Sequence, residues 1–521
     1  MVEFIAALPH RVLGMESAAS QRRTAAAPRV WPSEMTRAGL AYLVLALLLR
    51  GATLGYPMIH IDEQFYLLVG DRMLHGQLPY IDIWDRKPIG LFLLYGAIRL
   101  LGGEGIVQYQ LVALAFTVAT SLAIFRMARM IAPSSGAFWA GVGYQLYLSA
   151  YFCFGGQAPV FYNLLVALSA LGMVNILGSA SARRLVWGGL GLMLVLGLAI
   201  QIKYTVIFEG AAFGMALMAH GRAMGWSRLK VFCTGVLWAF TALLPGLVAL
   251  AYYAAIGHGA DYVQANFLSI FDRHEDFLGS LWRLTKEMLA LIPVWIALFW
   301  APGRFPPVTG NNPLAIGFLR YWGLAAFLGF LVFGTWYDHY VAPLLVPLLV
   351  LAAPALGRAR PYLWPTVLLA VIGTLAAAIV TTYNVNHHGT RAQLDHLADL
   401  IRAERGDGCA YINEGDPVLY LKSGACFTTR FVFPNHLNGM VDAKALGVNV
   451  DDEIARIMST HPQVVVMSVY PSSLPVNWPA RYAIFQALRR DYKVVAYTSV
   501  GWRDFLVYRY KGVQPAIAQI H

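Results

Sequence analysis

The sequence predicts a polytopic α-helical membrane protein with a small α/β domain outside the membrane. Hydrophobic residues make up 58% of the 521 residues and charged residues only 13%, which is too little charge to cover a soluble protein of this length. The charged residues collect between long apolar runs, as expected when lipid is the solvent for most of the chain. Beyond residue 383 the apolar runs become short and the charges return.

Runs of roughly 20 predominantly apolar residues predict the membrane spans, because a helix of that length crosses the hydrocarbon core. The first run begins near Gly39, and no signal-peptide cleavage pattern follows it. Lys203 and Glu209 interrupt one stretch and predict two short spans with a break between them. The criterion gives about eleven spans, near residues 38–56, 106–131, 136–154, 159–178, 185–201, 204–220, 231–256, 284–301, 318–336, 340–357 and 362–382.

The basic residues of the loops predict the orientation of these spans. Arginine and lysine are concentrated in alternate loops, and the remaining loops are acidic or mixed. Since cytoplasmic loops carry the excess of basic residues, we expect the N-terminus in the cytoplasm and the acidic loops on the opposite face. The net charge of +11 therefore reflects membrane topology and not nucleic-acid binding. Short loops and a compact outer domain suit a bacterial inner membrane.

The chain is expected to have three parts: a cytoplasmic tail at 1–37, a transmembrane domain at 38–383, and a periplasmic α/β domain at 384–521. In the last part, apolar segments typical of strands alternate with amphipathic segments typical of helices. The predicted strands are 464–467, 493–497 and 506–508, and the predicted helices are 451–460 and 480–490. Cys409 and Cys426 both fall in this part, where an oxidising compartment would allow a disulfide.

The first outer loop, residues 57–104, concentrates ionisable residues at the membrane surface. Such groups near lipid are costly and tend to mark function. A transferase with a phosphate-linked donor needs a base for the acceptor and positive charge for the departing phosphate. Carboxylates and a basic pair in one loop meet both needs; they are Asp62, Glu63, Asp71, Asp82, Asp85, Arg86 and Lys87.

Structural roles would explain the same residues. Asp62 could cap the helix that follows it, with Glu63 favoured in the first turn by the helix dipole. Asp82 and Asp85 could be turn residues, and the adjacent basic pair could anchor the loop at the membrane interface. Residue type and spacing alone leave this alternative open.

The order of these residues resembles a known family. An Asp-Glu pair after the first span, a Gly-x-x-Pro-Tyr stretch and an Asp-x-x-Asp-x-Lys-Pro stretch are similar to the first outer loop of GT-C fold glycosyltransferases. The similarity is greatest to the branch that holds the protein O-mannosyltransferases and the lipid A aminoarabinose transferase. The matching residues are Asp62, Glu63, Gly76, Pro79, Tyr80, Asp82, Asp85, Lys87 and Pro88.

The resemblance implies roles for the residues of this loop. In such enzymes the acidic residue of the first loop is the catalytic base, which implies that role for Asp62, with Glu63 in support. The lysine before proline contacts the donor phosphate, which implies that Lys87 does so here. Arg86, next to it, could add positive charge to the same phosphate.

The resemblance also implies a site that a divalent metal, such as Mg, Mn or Zn, could occupy. Asp85, together with Asp82, would contribute to this metal or to the acceptor site. His274 is a further candidate ligand, because the family uses a residue of the corresponding outer loop near its metal. The aminoarabinose branch carries Glu directly before Lys-Pro, whereas this chain has Arg86 there and Asp85 one position earlier.

Three residues from later loops are candidates for the donor phosphate. Lys203 lies at the break between two short spans, where it could meet a phosphate or extend to the interface. The resemblance places a His-Tyr pair such as His339 and Tyr340 near the donor phosphate, although an aromatic belt also explains a tyrosine there. Arg430 and His436 in the outer domain could face the site, but a solvated surface position is the stronger expectation.

The sequence therefore predicts a glycosyltransferase that moves a sugar from a polyprenyl-phosphate donor to a lipid, glycan or protein acceptor, with inversion. No Walker A or dinucleotide-binding glycine pattern follows a predicted strand, in agreement with a lipid-linked donor. One alternative is a transporter or flippase of a lipid-linked sugar, which would favour charges at the membrane midplane and paired halves. A polysaccharide polymerase or ligase is another, and it would favour long later outer loops.

Overall fold

The computed structural model describes residues 32–273, 276–300, 313–332, 334–473 and 475–512. Its helices are α1 Pro32–Arg50, α2 Ile61–Met73, α3 Ile89–Arg99, α4 Ile106–Ala128, α5 Ser134–Ala150, α6 Ala158–Leu177, α7 Ala182–Ile200, α8 Val206–Ala223, α9 Arg228–Ala255, α10 Gly259–Val263, α11 Phe277–Ala290, α12 Ile292–Trp300, α13 Pro313–Val332, α14 Leu345–Ala352, α15 Trp364–His388, α16 Arg391–Arg405, α17 Val418–Ser423, α18 Pro434–Asn438, α19 Val450–Ser459 and α20 Trp478–Asp491. Its strands are β1 Ala410–Ile412, β2 Val464–Ser468, β3 Tyr492–Val500 and β4 Arg503–Tyr510.

The described chain divides into two compact units. The helical unit contains the described parts of Met1–Ala52, Leu111–Ala249 and Phe277–Thr381. The mixed unit contains the described parts of Thr53–Gln110, Leu250–Asp276 and Thr382–His521. The mixed unit thus joins the first outer loop to the C-terminal part of the chain.

The predicted multi-pass helical membrane architecture is confirmed. Within the described ranges, seven helices are long and apolar enough to cross a membrane: Pro32–Thr53, Ile106–Ala128, Ala158–Leu177, Ala182–Ile200, Arg228–Ala255, Pro313–Val332 and Trp364–Arg405. Four further predicted spans fall on elements that do not meet this criterion, namely α5, α8, α11 with α12, and α14. The count of eleven therefore stays a prediction.

The segment predicted as one span at 284–301 lies on two helices, α11 and α12, separated at Leu291. Helix α11 exposes Phe277, Leu278 and Trp282 while it buries Glu287. A helix with apolar residues outside and a carboxylate inside is suited to lipid contact on its outer face. The proline at the second position of α12 fits the start of a new helix, since proline is tolerated in a first turn.

The mixed unit contains a four-stranded sheet of order β1-β2-β4-β3. Strands β1 and β2 are parallel, with Ala410 opposite Val464, and the other pairs are antiparallel. The three predicted strands and both predicted helices of this part are present. Strand β1 was not predicted, because three residues are too few to give an alternating pattern.

Helices α2 and α3 of the first outer loop cross closely within the mixed unit. A Cβ atom on Gly70 would lie 2.6 Å from the backbone nitrogen of Gly96, so a side chain at this crossing would force the helices apart. Arg99 Nε donates to Oδ1 of Asp71 at 2.9 Å and joins the same two helices at their ends. The crossing therefore fixes the two helices that flank residues 74–88, the segment that contains Asp82, Asp85 and Lys87.

The first outer loop is also bonded to the C-terminal part of the mixed unit. The backbone N–H of Trp84 donates to the carbonyl of Arg430 at 2.8 Å. Gln64 Nε2 donates to Oδ1 of Asp416 at 3.0 Å, and the other carboxylate oxygen of Asp416 accepts from Arg503 at 2.7 Å. These bonds hold α2 and the segment before Lys-Pro against residues that come much later in the chain.

Candidate active site

Helix α2 presents the first candidate carboxylates at its N-terminus. Its cap is His60, whose Nδ1 accepts a hydrogen bond from the backbone N–H of Asp62 at 3.2 Å. Asp62 and Glu63 therefore lie in the first turn, where the helix dipole favours negative charge. The alternative that Asp62 itself caps the helix is wrong, because His60 occupies that position.

Asp62 and Glu63 lie in different environments. The Asp62 side chain is 15% exposed, whereas Glu63 is fully buried. Successive residues of a helix point about 100° apart, so the two carboxylates face different directions. Asp62 is thus the carboxylate that a substrate can reach, and Glu63 supports the helix from within.

Lys87 lies between two carboxylates. Its Nζ atom is 3.6 Å from Oδ1 of Asp62 and 3.2 Å from Oδ2 of Asp85. Asp85 also accepts a hydrogen bond from the backbone N–H of Lys87 at 2.8 Å. This bond closes a tight turn between residues 85 and 87. The structure therefore brings three of the predicted site residues together, with the Lys87 amine between the carboxylates of Asp62 and Asp85.

Aromatic rings surround the amine of Lys87. The rings of Tyr66, Phe433 and Phe65 have their centroids 5.3, 5.4 and 5.7 Å from Nζ, close enough for cation–π attraction. Burial alone would lower the pKa of Lys87, but the neighbouring carboxylates, chiefly that of Asp85, outweigh burial and raise the pKa above its ordinary value. The amine therefore stays charged at neutral pH.

Arg86 points to a different partner. Its Nη1 donates to Oδ1 of Asp442 at 2.9 Å, and Arg273 Nε donates to the same oxygen at 3.0 Å. Burial would raise the pKa of Asp442, but the two guanidinium groups outweigh it and lower the pKa to about 2. Arg86 is thus held by Asp442, whereas Lys87 faces Asp62.

The acidic residues in the described part of the chain do not assemble a metal-ligand set. No group of three His, Cys, Asp or Glu side chains able to hold a metal ion occurs there. Asp82 accepts the backbone N–H of Leu78 at 2.7 Å and closes a turn, and the ammonium of Lys87 neutralises Asp85. His274 lies outside the described residues. The metal stays a prediction.

A second group of predicted residues lines a pocket in the helical unit. Lys203 lies in the break between α7 and α8, and its Nζ is 4.6 Å from the centroid of the Tyr340 ring. The rings of His339 and Tyr340 pack edge to face with centroids 4.7 Å apart. The empty space of the pocket is about 510 Å³. The other lining residues are Pro159, Tyr162, Thr205, Phe208, Glu209, Ala326, Gly329, Phe330 and Pro343.

This pocket combines mostly apolar walls with the ionisable side chains of Lys203, Glu209 and His339. The carboxylate of Glu209 is buried, and its Oε1 accepts the indole N–H of Trp322 at 2.7 Å. Ionisable residues between membrane helices are costly and tend to serve a function. An ammonium beside apolar walls is suited to a ligand with an anionic head and an apolar chain.

Solved membrane enzymes share the architecture of this chain. ArnT from Cupriavidus metallidurans bound to undecaprenyl phosphate superimposes with a TM-score of 0.58 at 14% identity, covering 92% of this chain and 98% of its own. The oligosaccharyltransferase AglB from Archaeoglobus fulgidus, in complex with an inhibitory peptide and a dolichol-phosphate, superimposes with a TM-score of 0.54 at 10% identity, covering 94% and 76%.

The chain has the GT-C fold. The fold predicted from the first outer loop is thereby confirmed. No family model matches the sequence, and no curated protein matches it significantly. At 10 to 14% identity the structural likeness establishes the fold, and the chemistry must be argued from the residues of this chain.

One residue of this GT-C chain contradicts its sequence-based expectation. His436 was expected at the solvated surface, but its side chain is 1% exposed and its Nε2 lies 3.8 Å from Oδ2 of Asp85. Arg430 is closer to expectation, since its side chain is 32% exposed and its Nη1 lies 3.5 Å from Asp261. Sequence gives no signal for the burial of His436, except the apolar Phe-Val-Phe-Pro segment just before it.

Cys409 and Cys426 form a disulfide within the mixed unit. Cys409 directly precedes β1, and Cys426 follows α17, so the bond ties the start of the sheet to the segment that leads to α18. Two further residues were not predicted for the site. Asp442 has no local motif, whereas Glu209 could have been noticed as an acidic residue inside an apolar stretch.

Proposed function

We propose that this protein is a glycosyltransferase that moves a sugar from a polyprenyl-phosphate donor to an acceptor hydroxyl or amine, with Asp62 as general base. The observation that carries the proposal is the position of Lys87 Nζ, 3.6 Å from Oδ1 of Asp62. A base for the acceptor and a cation for the departing phosphate thus lie side by side, as displacement at a glycosyl phosphate requires.

The proposed reaction is a single displacement at the anomeric carbon. The acceptor oxygen or nitrogen forms the new bond to that carbon while Asp62 takes its proton. The bond from the anomeric carbon to the phosphate oxygen breaks, and its electron pair stays on the polyprenyl phosphate. Lys87 leaves the two carboxylates to stabilise that negative charge. One displacement at one carbon inverts its configuration.

Two observations support a lipid-linked donor. The pocket of Lys203, His339 and Tyr340 offers an ammonium beside apolar walls. Two proteins of the same fold were solved with polyprenyl phosphates, ArnT with undecaprenyl phosphate and AglB with dolichol-phosphate. We propose that the phosphate of the same class of lipid contacts this chain through Lys87 or Lys203. Arg86 is a secondary candidate for this contact, because it is paired with Asp442. The acceptor is a lipid, a glycan or a protein.

The basic loops support a topology for this reaction. We propose that the N-terminal tail at 1–37 lies in the cytoplasm, that 38–383 forms the transmembrane domain, and that 384–521 lies in the periplasm of a bacterial cell. The first outer loop at 57–104 would then face the periplasm. A periplasmic site needs a lipid-linked donor, because nucleotide sugars are made in the cytoplasm. The disulfide Cys409–Cys426 agrees with an oxidising compartment.

The test compares cells that lack the gene with cells complemented by the wild type, Asp62→Asn or Asp399→Asn. Asp399 is exposed on α16, so its variant carries the same change of charge on a solvated face. Mass spectrometry of surface glycolipids, polysaccharides and glycoproteins should reveal a glycosylated product with the wild type and Asp399→Asn. Asp62→Asn should give none, because the acceptor keeps its proton.

Binding distinguishes a catalytic defect from a folding defect. Purified Asp62→Asn in lipid nanodiscs should bind undecaprenyl phosphate at least as tightly as wild type, since loss of the Asp62 charge removes a competitor for Lys87. A full yield of product from Asp62→Asn would refute the assignment of the base. Movement of a lipid-linked sugar across the bilayer by the wild type, with no new glycosidic bond, would favour a transporter instead.

A further inference from the structure

Helix α20, Trp478–Asp491, carries a row of exposed side chains along one face. The row is formed by Trp478, Tyr482, Gln486 and Arg489. Since successive residues of a helix are about 100° apart, these four side chains fall within about 80° of its circumference. They extend over about 17 Å of the helix axis. We call this row the α20 stripe.

The buried side of α20 holds the stripe in place. Arg481 is buried and forms an ion pair with Glu414, and its Nη2 donates to the carbonyl of Ser468 at 2.8 Å, at the end of β2. At the start of the helix the side chain of Asn477 accepts a hydrogen bond from the backbone N–H of Ala480 at 3.4 Å. A helix that is capped and anchored in this way presents its outer face to a ligand without rearrangement.

Two aromatic rings form the first half of the stripe. Trp478 is 62% exposed and Tyr482 is 66% exposed, and the two side chains are neighbours because they are four residues apart on the helix. The faces of such rings are negative, and they attract the C–H groups of a sugar ring, which carry partial positive charge. The pair is therefore suited to stack against pyranose rings.

The second half of the stripe is polar and positively charged. The amide of Gln486 both donates and accepts hydrogen bonds, as sugar hydroxyls do. Lys511 Nζ donates to the backbone carbonyls of Arg489 and Arg490 at 3.4 and 3.1 Å, so three cations meet at this end of the helix. Asp491 pairs with Arg490 at 2.9 Å and neutralises one of them. This end of the stripe therefore keeps an excess of positive charge.

We infer that the α20 stripe binds an acidic glycan, with sugar rings stacked on Trp478 and Tyr482 and an anionic group of the glycan at Arg489. The role of this glycan as the acceptor rests on the proposed function. The positive end of the stripe is complementary in charge to such a ligand. A lipid surface or the centre of a protein interface would instead favour exposed Leu, Phe or Met, which the four positions of the stripe lack.

Binding of a glycan can be measured without a donor. The full chain in lipid nanodiscs is titrated with a mannuronate hexasaccharide, and ligand-observed NMR gives the Kd. Maltohexaose is the neutral sugar for comparison, and hexaglutamate is the anion without sugar rings. We expect a Kd on the order of 1 mM for the mannuronate, and binding of each of the other two probes that is weaker by at least about threefold. Tighter binding of hexaglutamate than of the mannuronate would overturn the stacking of sugar rings.

Three variants locate the binding on the stripe. Trp478→Ala combined with Tyr482→Ala should weaken binding of the mannuronate by about tenfold or more. Arg489→Gln should weaken it by about three- to tenfold at low salt and leave maltohexaose unchanged. Trp502→Ala is the matched control, because Trp502 is 63% exposed in the turn between β3 and β4, and it should bind within about twofold of wild type. The unfolding temperature of each variant checks its fold.

The outcomes separate this inference from the proposed function. No binding of the mannuronate at about 10 mM, or equal affinity of the wild type and the double variant, would overturn the glycan site. Asp62→Asn should bind the mannuronate as wild type does, since binding needs no base. If the wild type binds but makes no product in complemented cells, the proposed function fails and the glycan site stands. Equal yields of product from the wild type and the double variant would overturn the role of the bound glycan as acceptor.

Discussion

The Nζ atom of Lys87 lies 3.6 Å from Oδ1 of Asp62 and 3.2 Å from Oδ2 of Asp85. One ammonium group thus neutralises half of the charge of two carboxylates. The two ion pairs stabilise the structure in the absence of a ligand. Under the proposed function, the amine must leave one carboxylate before it binds the donor phosphate. The strength of the two ion pairs therefore bears directly on how the donor binds.

Replacing Lys87 by methionine should impair phosphate binding and stability together. Loss of the amine removes a charge-assisted contact to phosphate, which corresponds to more than about tenfold in affinity. It also deprives two mostly buried carboxylates of their shared ammonium group, at about 1–3 kcal/mol. Undecaprenyl phosphate binding and thermal unfolding in the same detergent measure the two effects. Lys493→Met, on the exposed strand β3, should match wild type in both. Unchanged affinity in Lys87→Met would exclude Lys87 as the phosphate ligand.

Asp442 should contribute to stability in a defined range of pH. Its pKa in the folded state is about 2, against an ordinary value of 3.8. A carboxyl with a lowered folded pKa stabilises fully above its unfolded pKa, and the contribution is lost as pH falls through the folded pKa. We expect Asp442→Asn to be less stable than wild type by about 2 kcal/mol above pH 4. Chemical denaturation at a series of pH values should bring the two curves together near pH 2. A constant difference over that range would contradict the assignment.

Replacing Trp322 by phenylalanine should destabilise the helical unit. The indole N–H donates to the buried carboxylate of Glu209, and phenylalanine leaves that oxygen without its donor, which costs about 1–3 kcal/mol. The unfolding temperature in detergent provides the measurement. Trp187→Phe is the matched control, because Trp187 is exposed and its loss should change stability by less than about 0.5 kcal/mol. Equal effects of the two substitutions would mean that the Glu209 bond contributes nothing.

Reduction of the disulfide should lower stability without removing the fold of the helical unit. Cys409 and Cys426 are separated by 17 residues, and closing a loop of that size stabilises a protein by about 3 kcal/mol, mainly through the unfolded chain. Alkylation with and without reductant, followed by mass spectrometry, establishes the bond. The double substitution to alanine measures its effect on unfolding, and Cys233→Ala is the control. Alkylation of Cys409 without reductant would contradict the pairing.

The features that the sequence predicted depend on neighbours along the chain. The apolar runs of the helices and the apolar segments of strands β2 to β4 are local patterns, and Asp62, Asp85 and Lys87 belong to one short loop. Their meeting required only that the chain turn back between the end of α2 and Lys87. The sequence also suggested Lys203 and Tyr340 separately, although only the packing of several helix ends places them in one pocket.

The residues that were missed or misjudged owe their positions to distant parts of the chain. His436 and Asp442 are buried because the first outer loop packs against them within the mixed unit, and no local pattern records that contact. The split of the predicted span at 284–301 had a local signal, Pro293, which a count of apolar residues does not use. Arg86 was assigned to the phosphate by adjacency to Lys87, yet neighbouring residues in an extended segment point to opposite sides.

The backbone bond from Trp84 to Arg430 has a consequence for biosynthesis. Partners such as Arg72 and Ala425 are 353 residues apart, and at 5–20 residues per second a ribosome needs about 20–70 s to make the second after the first. During that interval the first outer loop lacks the segment that completes the mixed unit. The candidate site around Lys87, which includes Phe433, is thus assembled only after the last third of the chain has been made.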